Sequence, residues 1–217
     1  MRVGTKSILF GAHSLMVHPF ALFEAWRRLY HFPWDPRLWV VFAVHDLGYF
    51  SRSSMDGAGS EAHVELGGKI MEMLFGRCWG DFCRRHSREW CRRHGKRYSR
   101  LCVADKLAFV LTPAWLYLPM TRATGELTEY MAVADGRQAG GKFTDAERSM
   151  LRSGDARLWL KGLKSYTARW VDERHHEYRH TQIVSCEVPK KLKLARQENQ
   201  RMLALSGVPS RVGRSSK

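Results

Sequence analysis

An all-α fold is what this sequence predicts, and three observations carry the prediction. Apolar residues recur at helical spacing along nearly the whole chain; no stretch alternates as a half-buried strand would; and the breaks between periodic stretches are rich in turn-forming residues. The patterned region runs over about residues 5 to 180, so the chain divides into a helical domain over 1–180 and a basic extension over 181–217. There is no internal repeat.

Taken in order, His18, Ala21, Leu22, Ala25 and Trp26 fall on one helical face, and Pro19 suits the first turn of that helix. Leu38, Val41, Phe42, His45 and Asp46 repeat the spacing, so that two ionisable residues close an otherwise apolar face. Asp56 to Ser60 and Asp135 to Gly141 read as loops. Thr144 with Glu147 forms a capping-box pattern that opens a short helix. Trp159, Leu163, Tyr166 and Trp170 mark a further helix. The last dozen residues, rich in Gly, Ser, Pro and Arg, could not repay the entropy of ordering and are expected to be disordered.

Composition narrows the function classes. A hydrophobic fraction of 44% and an aromatic fraction of 12% exclude a wholly disordered chain. The formal charge of +15 points to an anionic substrate or partner. Residues 81–100 and 187–217 each hold eight Lys/Arg against two acids, and together they supply +12 of that charge. The longest uncharged apolar stretch, Leu107 to Met120, has 14 residues and two prolines, whereas a membrane span needs about 20. With no signal-peptide pattern at the start, a cytoplasmic protein that does not engage membranes is expected. The five cysteines form no C-x-x-C pair and read as reduced thiols.

The chemistry resides in polar residues set within apolar helices. LWVVFAVHDL ends in His45 and Asp46, and burying an imidazole beside a carboxylate is costly unless something pairs with both. A divalent metal would do so. His18 in MVHPFAL, His63 in EAHVELGGKI, His86 in FCRRHSREW and Asp105 in LCVADKLAFV stand in similar contexts, and each could project a ligand inward from its own helix. A single helical histidine is more often a hydrogen-bonded core residue, so it is the ordered set that argues for metal. Arg88 and Lys106 are the cations nearest these residues, with Arg84 and Arg85 as further candidates for holding an anion. At least half of the basic residues in 81–100 read as a solvated helix face. His175, His176 and His180 read as a solvated helix end, and Trp115 and Tyr117 as core rather than a base-stacking pocket.

The ordered series His18, His45-Asp46, His63, His86, Asp105, with gaps of 27, 17, 23 and 19 residues, resembles the HD-domain metal-dependent phosphohydrolase superfamily. HDLGY is similar to that family's HD-hydrophobic-Gly core, HVELGGKIM to the H-x-x-x-G helix of its six-ligand HD-GYP-type members, and VADKLA to their closing Asp helix. MVHPFALFEAW resembles the HPLAVA helix of the alarmone hydrolases, which favours His18 as first ligand; HSLMV around His13 also resembles the first-helix motif of many HD proteins. The resemblance covers about residues 11 to 120. HD-GYP members have two adjacent histidines where this chain has His86-Ser87, and the GYP loop is absent, so cyclic dinucleotide hydrolysis is not implied.

The resemblance implies a helical bundle with a metal site in its core, built by His18, His45, Asp46, His63, His86 and Asp105. One or two divalent ions (Mn, Fe, Co, Ni, Zn or Mg) are expected there. Asp46 would bridge two ions, a metal-bound hydroxide would attack a phosphate ester or anhydride of a nucleotide, and Arg88 and Lys106 would hold the anion. Two alternatives stand beside this reading: a di-iron oxygenase on the same scaffold, and a nucleic-acid-binding HD protein using its basic tail. Small stand-alone HD proteins of this kind occur in bacteria and phages.

Overall fold

Short polar signals start and stop the helices, and one strongly apolar helix runs through the middle of them. The computed structural model describes residues 1–50, 52–55, 62–133 and 143–178, and every regular element among them is helical. The expected loops at 56–60 and 135–141, His180 and the whole basic segment 187–217 lie outside the described residues.

Helix α1 (Val3–Phe10) leads to α2 (His18–Tyr30), which has Pro19 in its first turn and buries His18, Leu22, Ala25, Trp26 and Leu29 along one stripe. Asp35 caps α3 (Pro36–Val44) by accepting a hydrogen bond from the Arg37 backbone N–H, and α3 buries Leu38, Val41 and Phe42. A single 3₁₀ turn, Leu47–Tyr49, follows. Beyond it come α4 (His63–Phe75), α5 (Arg77–Arg84) and α6 (Arg88–Arg93), the last capped by Ser87. Gly76, at φ 86°, makes the turn between α4 and α5, a conformation that other residues adopt only with strain.

Helix α7 (Arg100–Leu111) is buried on nearly all sides over its first six residues and packs against α2. It bends by 100° into α8 (Ala114–Thr124), which ends at Gly125 before α9 (Glu126–Ala132). Thr144 and Glu147 form the capping box that opens α10 (Asp145–Leu151). Helix α11 (Ala156–Tyr178) lies against both α10 and α7. The core draws Leu22, Trp26, Phe42, Leu101, Trp159 and Leu160 from four of these helices. No single helix among the described residues is long and apolar enough to cross a membrane.

Two expectations need correction. Trp115 is not core, because 75% of it is exposed, whereas its neighbour Tyr117 is buried. Of the basic residues in 81–100, Arg92, Arg93, Lys96 and Arg97 are exposed as expected, while Arg100 is buried, with its guanidinium 4.9 Å from the centre of the Tyr30 ring. Cys83, Cys91 and Cys102 are buried free thiols, but Cys78 is disulfide-bonded, so the cysteines are not all reduced.

Two glycines let the chain close around its centre. A Cβ at Gly48 would overlap the backbone of His63, and one at Gly67 would lie 2.5 Å from the carbonyl oxygen of Val44. The 3₁₀ turn and the end of α3 therefore touch α4 backbone to backbone. Gly48→Ala is expected to cost roughly 1–3 kcal/mol through this overpacking, read as a lower urea midpoint at unchanged slope.

Candidate metal centre

Each of the six singled-out histidines and aspartates reaches the centre from a different point in the helical framework. His18 opens α2, His45 follows the last residue of α3, His63 opens α4, His86 follows α5, and Asp105 lies within α7. Asp46 sits between α3 and the 3₁₀ turn at φ −99°, ψ 0°, a sparsely populated bridge conformation that recurs at active sites. All six are buried.

Helix ends orient two of the imidazoles. His45 Nδ1 is 3.2 Å from the Phe42 carbonyl oxygen, and His86 Nδ1 is 2.7 Å from that of Cys83. A carbonyl oxygen only accepts, so both Nδ1 atoms carry hydrogen and both Nε2 atoms are turned inward. The last carbonyls of a helix lack intrahelical partners, and here the histidine that ends the helix supplies one. Such tethering is how proteins aim histidine ligands. His63 is held differently, stacked on Tyr49 with ring centres 4.2 Å apart.

Asp46 joins two groups of donors. Its Oδ2 lies 3.0 Å from His45 Nε2 and 3.5 Å from His18 Nε2, while Oδ1 lies 3.3 Å from His86 Nε2. Asp105 Oδ1 is 3.1 Å from His18 Nε2, which is itself 3.3 Å from His45 Nε2. On the other side, His63 Nε2 and His86 Nε2 stand 3.3 Å apart. Thus His18, His45, Asp46 and Asp105 form one group that could hold a metal ion, and Asp46, His63 and His86 a second, with the ligand atoms of each group within 4.8 Å of one another. The donor chemistry fits. The first group sets two carboxylates beside two imidazoles, and the mixed N/O set suits a divalent transition metal.

Electrostatics agree that the centre is built to hold positive charge. Burial would push His45 toward neutrality, yet Asp46 and Asp105 outweigh it and raise its pKa to about 10. Burial works against ionised Asp46 and Asp105 as well. Even so, the histidines around Asp46, and Lys106 with His18 around Asp105, hold both well below the usual carboxylate range.

A cavity of about 180 Å³ opens beside the first group, lined by His18 and Asp105, by Arg88 and Lys106, and by Phe109, Tyr117 and Leu163 among others. Lys106 Nζ lies 2.6 Å from Asp105 Oδ2. Arg88 is steadied by the Tyr166 hydroxyl and lies over the Trp170 ring. The other two candidate cations are elsewhere. Arg84 is engaged by Glu65, Glu72 and Asp81, and Arg85 donates to the Arg97 carbonyl. His175 and His176 belong to neither donor group.

The chain matches no family model, no curated protein and no solved structure. What the centre could hold follows from its own geometry.

That geometry places His13 next to the donor groups but not in them. It lines the same cavity, with its Nδ1 3.5 Å from Glu126 Oε1. Burial alone would lower the His13 pKa, but Asp46, Glu126 and Asp105 raise it. Sequence reasoning missed Glu126, which is 0% exposed. Together with Glu129 it occupies the first turn of a short helix, a pattern indistinguishable from a solvated N-terminal carboxylate.

Buried Glu126 is opposed by the cost of burial, but His13, Ser7 and Thr124 outweigh it and hold its pKa below the ordinary value. A depressed carboxylate contributes stability above its unfolded pKa, and that stability disappears as pH falls through the folded value. Unfolding free energy is therefore expected to fall on acidification below about pH 4.5, with a shallower fall in Glu126→Gln, as urea titrations at stepped pH would show.

Proposed function

We propose that this chain is a metal-dependent phosphohydrolase of the HD type, acting on a phosphate ester or anhydride of a nucleotide. One observation carries the reading: two donor groups share Asp46, and the first of them opens into a cavity whose wall also carries Arg88 and Lys106. The HD-like order of the donors along the chain supports it.

In this reading His18, His45, Asp46 and Asp105 hold one ion, and Asp46, His63 and His86 hold the second. Bound divalent ions supply Lewis acidity that generates a nucleophile from water near neutral pH and neutralises phosphoryl charge. The protein's own groups do the rest. Lys106 and Arg88 bind phosphoryl oxygens by charge-assisted hydrogen bonds, and Asp105 keeps the Lys106 ammonium at the rim of the donor group. Tyr166 and Trp170 keep Arg88 from collapsing into solvent. Phe109, Tyr117 and Leu163 give the organic part of the substrate an apolar surface and exclude water from the phosphoryl end.

The test is a screen of nucleotides for released phosphate, pyrophosphate or triphosphate in protein supplemented with divalent metal. Asp46→Ala is expected to lose most bound metal by elemental analysis, together with turnover. His18→Ala should lose metal and His13→Ala should not. His63→Ala is expected to reduce bound metal from about two ions to about one per chain. Unchanged turnover in Asp46→Ala would overturn the reading. Iron retention with oxygen consumption and no phosphate release would favour the oxygenase alternative.

Arg88→Ala is expected to lower kcat/KM about ten- to a hundredfold, as for the loss of one charge-assisted hydrogen bond of roughly 1.5–3 kcal/mol. Steady-state kinetics on the best substrate from the screen would measure it.

A further inference from the structure

We infer that Glu65 and Arg84 form a clamp that sets the separation of His63 and His86, which makes Glu65 a positioning residue for the second donor group. The inference rests on the two-ion part of the reading above and adds to it residues that neither donor group contains.

The second group is built on a helical hairpin, and its histidines stand at the open end. Helices α4 and α5 are joined at Gly76, while His63 opens α4 and His86 follows α5. With 13 residues, α4 puts the joining turn about 20 Å from His63. A turn so distant constrains the far ends of the two helices only loosely. Yet His63 Nε2 and His86 Nε2 stand 3.3 Å apart. Something nearer must hold the ends together.

That tie lies two residues inside each histidine. Glu65 follows His63 on α4, Arg84 precedes His86 on α5, and Arg84 Nε donates to Glu65 Oε2 at 3.1 Å. The other oxygen, Glu65 Oε1, accepts from Trp90 Nε1 at 3.1 Å. One carboxylate therefore joins α4, α5 and α6, and α6 is the helix that begins with Arg88.

Arg84 is fixed in this position from all sides. Its side chain is 11% exposed, and a Cβ would lie 2.6 Å from its Cγ at Gly68 and 2.9 Å from its Nη1 at Gly80. The two glycines thus leave the channel in which the guanidinium crosses between the helices. Nη2 donates to Glu72 at 2.8 Å, and Nη1 lies 3.5 Å from Asp81. A cation so enclosed needs its carboxylates. They differ in place: Glu72 and Asp81 sit further down the hairpin, toward Gly76, and only Glu65 acts at the histidine end.

The consequence is selective. His18, His45 and Asp105 come from α2, the end of α3 and α7, none of which Glu65 or Arg84 touches. Loosening the clamp therefore lets His63 and His86 part while the first group keeps its geometry. Residues that orient ligands from outside the donor set are typically worth about ten- to a hundredfold in metal affinity.

The experiment titrates full-length, metal-stripped protein with Mn²⁺ by equilibrium dialysis and elemental analysis. Wild type is expected to bind two ions in separable steps. Glu65→Ala should weaken one step about ten- to a hundredfold and leave the other unchanged, and the weakened step should be the one that His63→Ala abolishes. Glu65→Gln, which keeps the shape and an acceptor for Trp90, should fall between Glu65→Ala and wild type, and it carries the test if Glu65→Ala does not fold. Asp81→Asn, which touches the same guanidinium away from the histidines, should match wild type in both steps. Both steps unchanged in Glu65→Ala, or both weakened equally, would overturn the clamp. Selective weakening of the same size in Asp81→Asn would overturn the role given to Glu65. A wild type that binds one ion or none would overturn the two-ion reading and this inference with it. Two ions with the expected selectivity, in protein that releases phosphate from no nucleotide, would uphold the clamp while overturning the phosphohydrolase reading.

Discussion

Everything near the centre of this molecule follows from the burial of Asp46. A carboxylate removed from water needs compensation at both oxygens, and here each oxygen faces imidazole nitrogens supplied by different helices. Three segments far apart in sequence, around His18, His45 and His86, must therefore come within 3.5 Å of one side chain. Asp105 adds a second buried negative charge, brought in by the helix most completely surrounded by core. Concentrated negative charge in a low-dielectric interior is stable only with positive charge among it, and this is why these residues could hold a metal ion.

Local structure supplies the precision that long-range packing alone would not. Histidines placed where α3 and α5 end use the carbonyls of the last turn as anchors, which fixes both the tautomer and the direction of Nε2. Gly48 and Gly67 permit the backbone approach that brings His63 against the turn that carries His45 and Asp46. Here the most tightly packed backbone and the donor-bearing turn are the same few residues.

The cavity divides into chemically distinct walls. Arg88 and Lys106 line it from α6 and α7, Phe109 and Tyr117 provide an apolar surface, and His13 stands at a third side with its own buried counter-charge. The net charge of +15 is thus only a coarse guide. Arg84 is consumed by three acids and Arg100 by an aromatic ring, while the two cations that face the cavity are distinguished by position rather than by sequence neighbourhood.

The sequence by itself determined the helical class and the cast of the centre. Helical periodicity is a local property, and so is the oddity of His45-Asp46 ending an apolar face; both can be read without knowing what packs against them. The order of the six donors was legible because each lies in a short helical context of its own. Only the tertiary structure decided how they divide into two groups around Asp46, since distances between helices depend on crossing geometry that no local pattern encodes. It also agrees with the sequence's preference for His18 over His13, five residues apart in similar surroundings, by bringing one to Asp105 and the other to Glu126. Glu126 was missed and Trp115 misread for a related physical reason. Whether an acid in a first turn or a Trp in an apolar run meets solvent depends on which other helix covers it, and that neighbour is set by the fold as a whole.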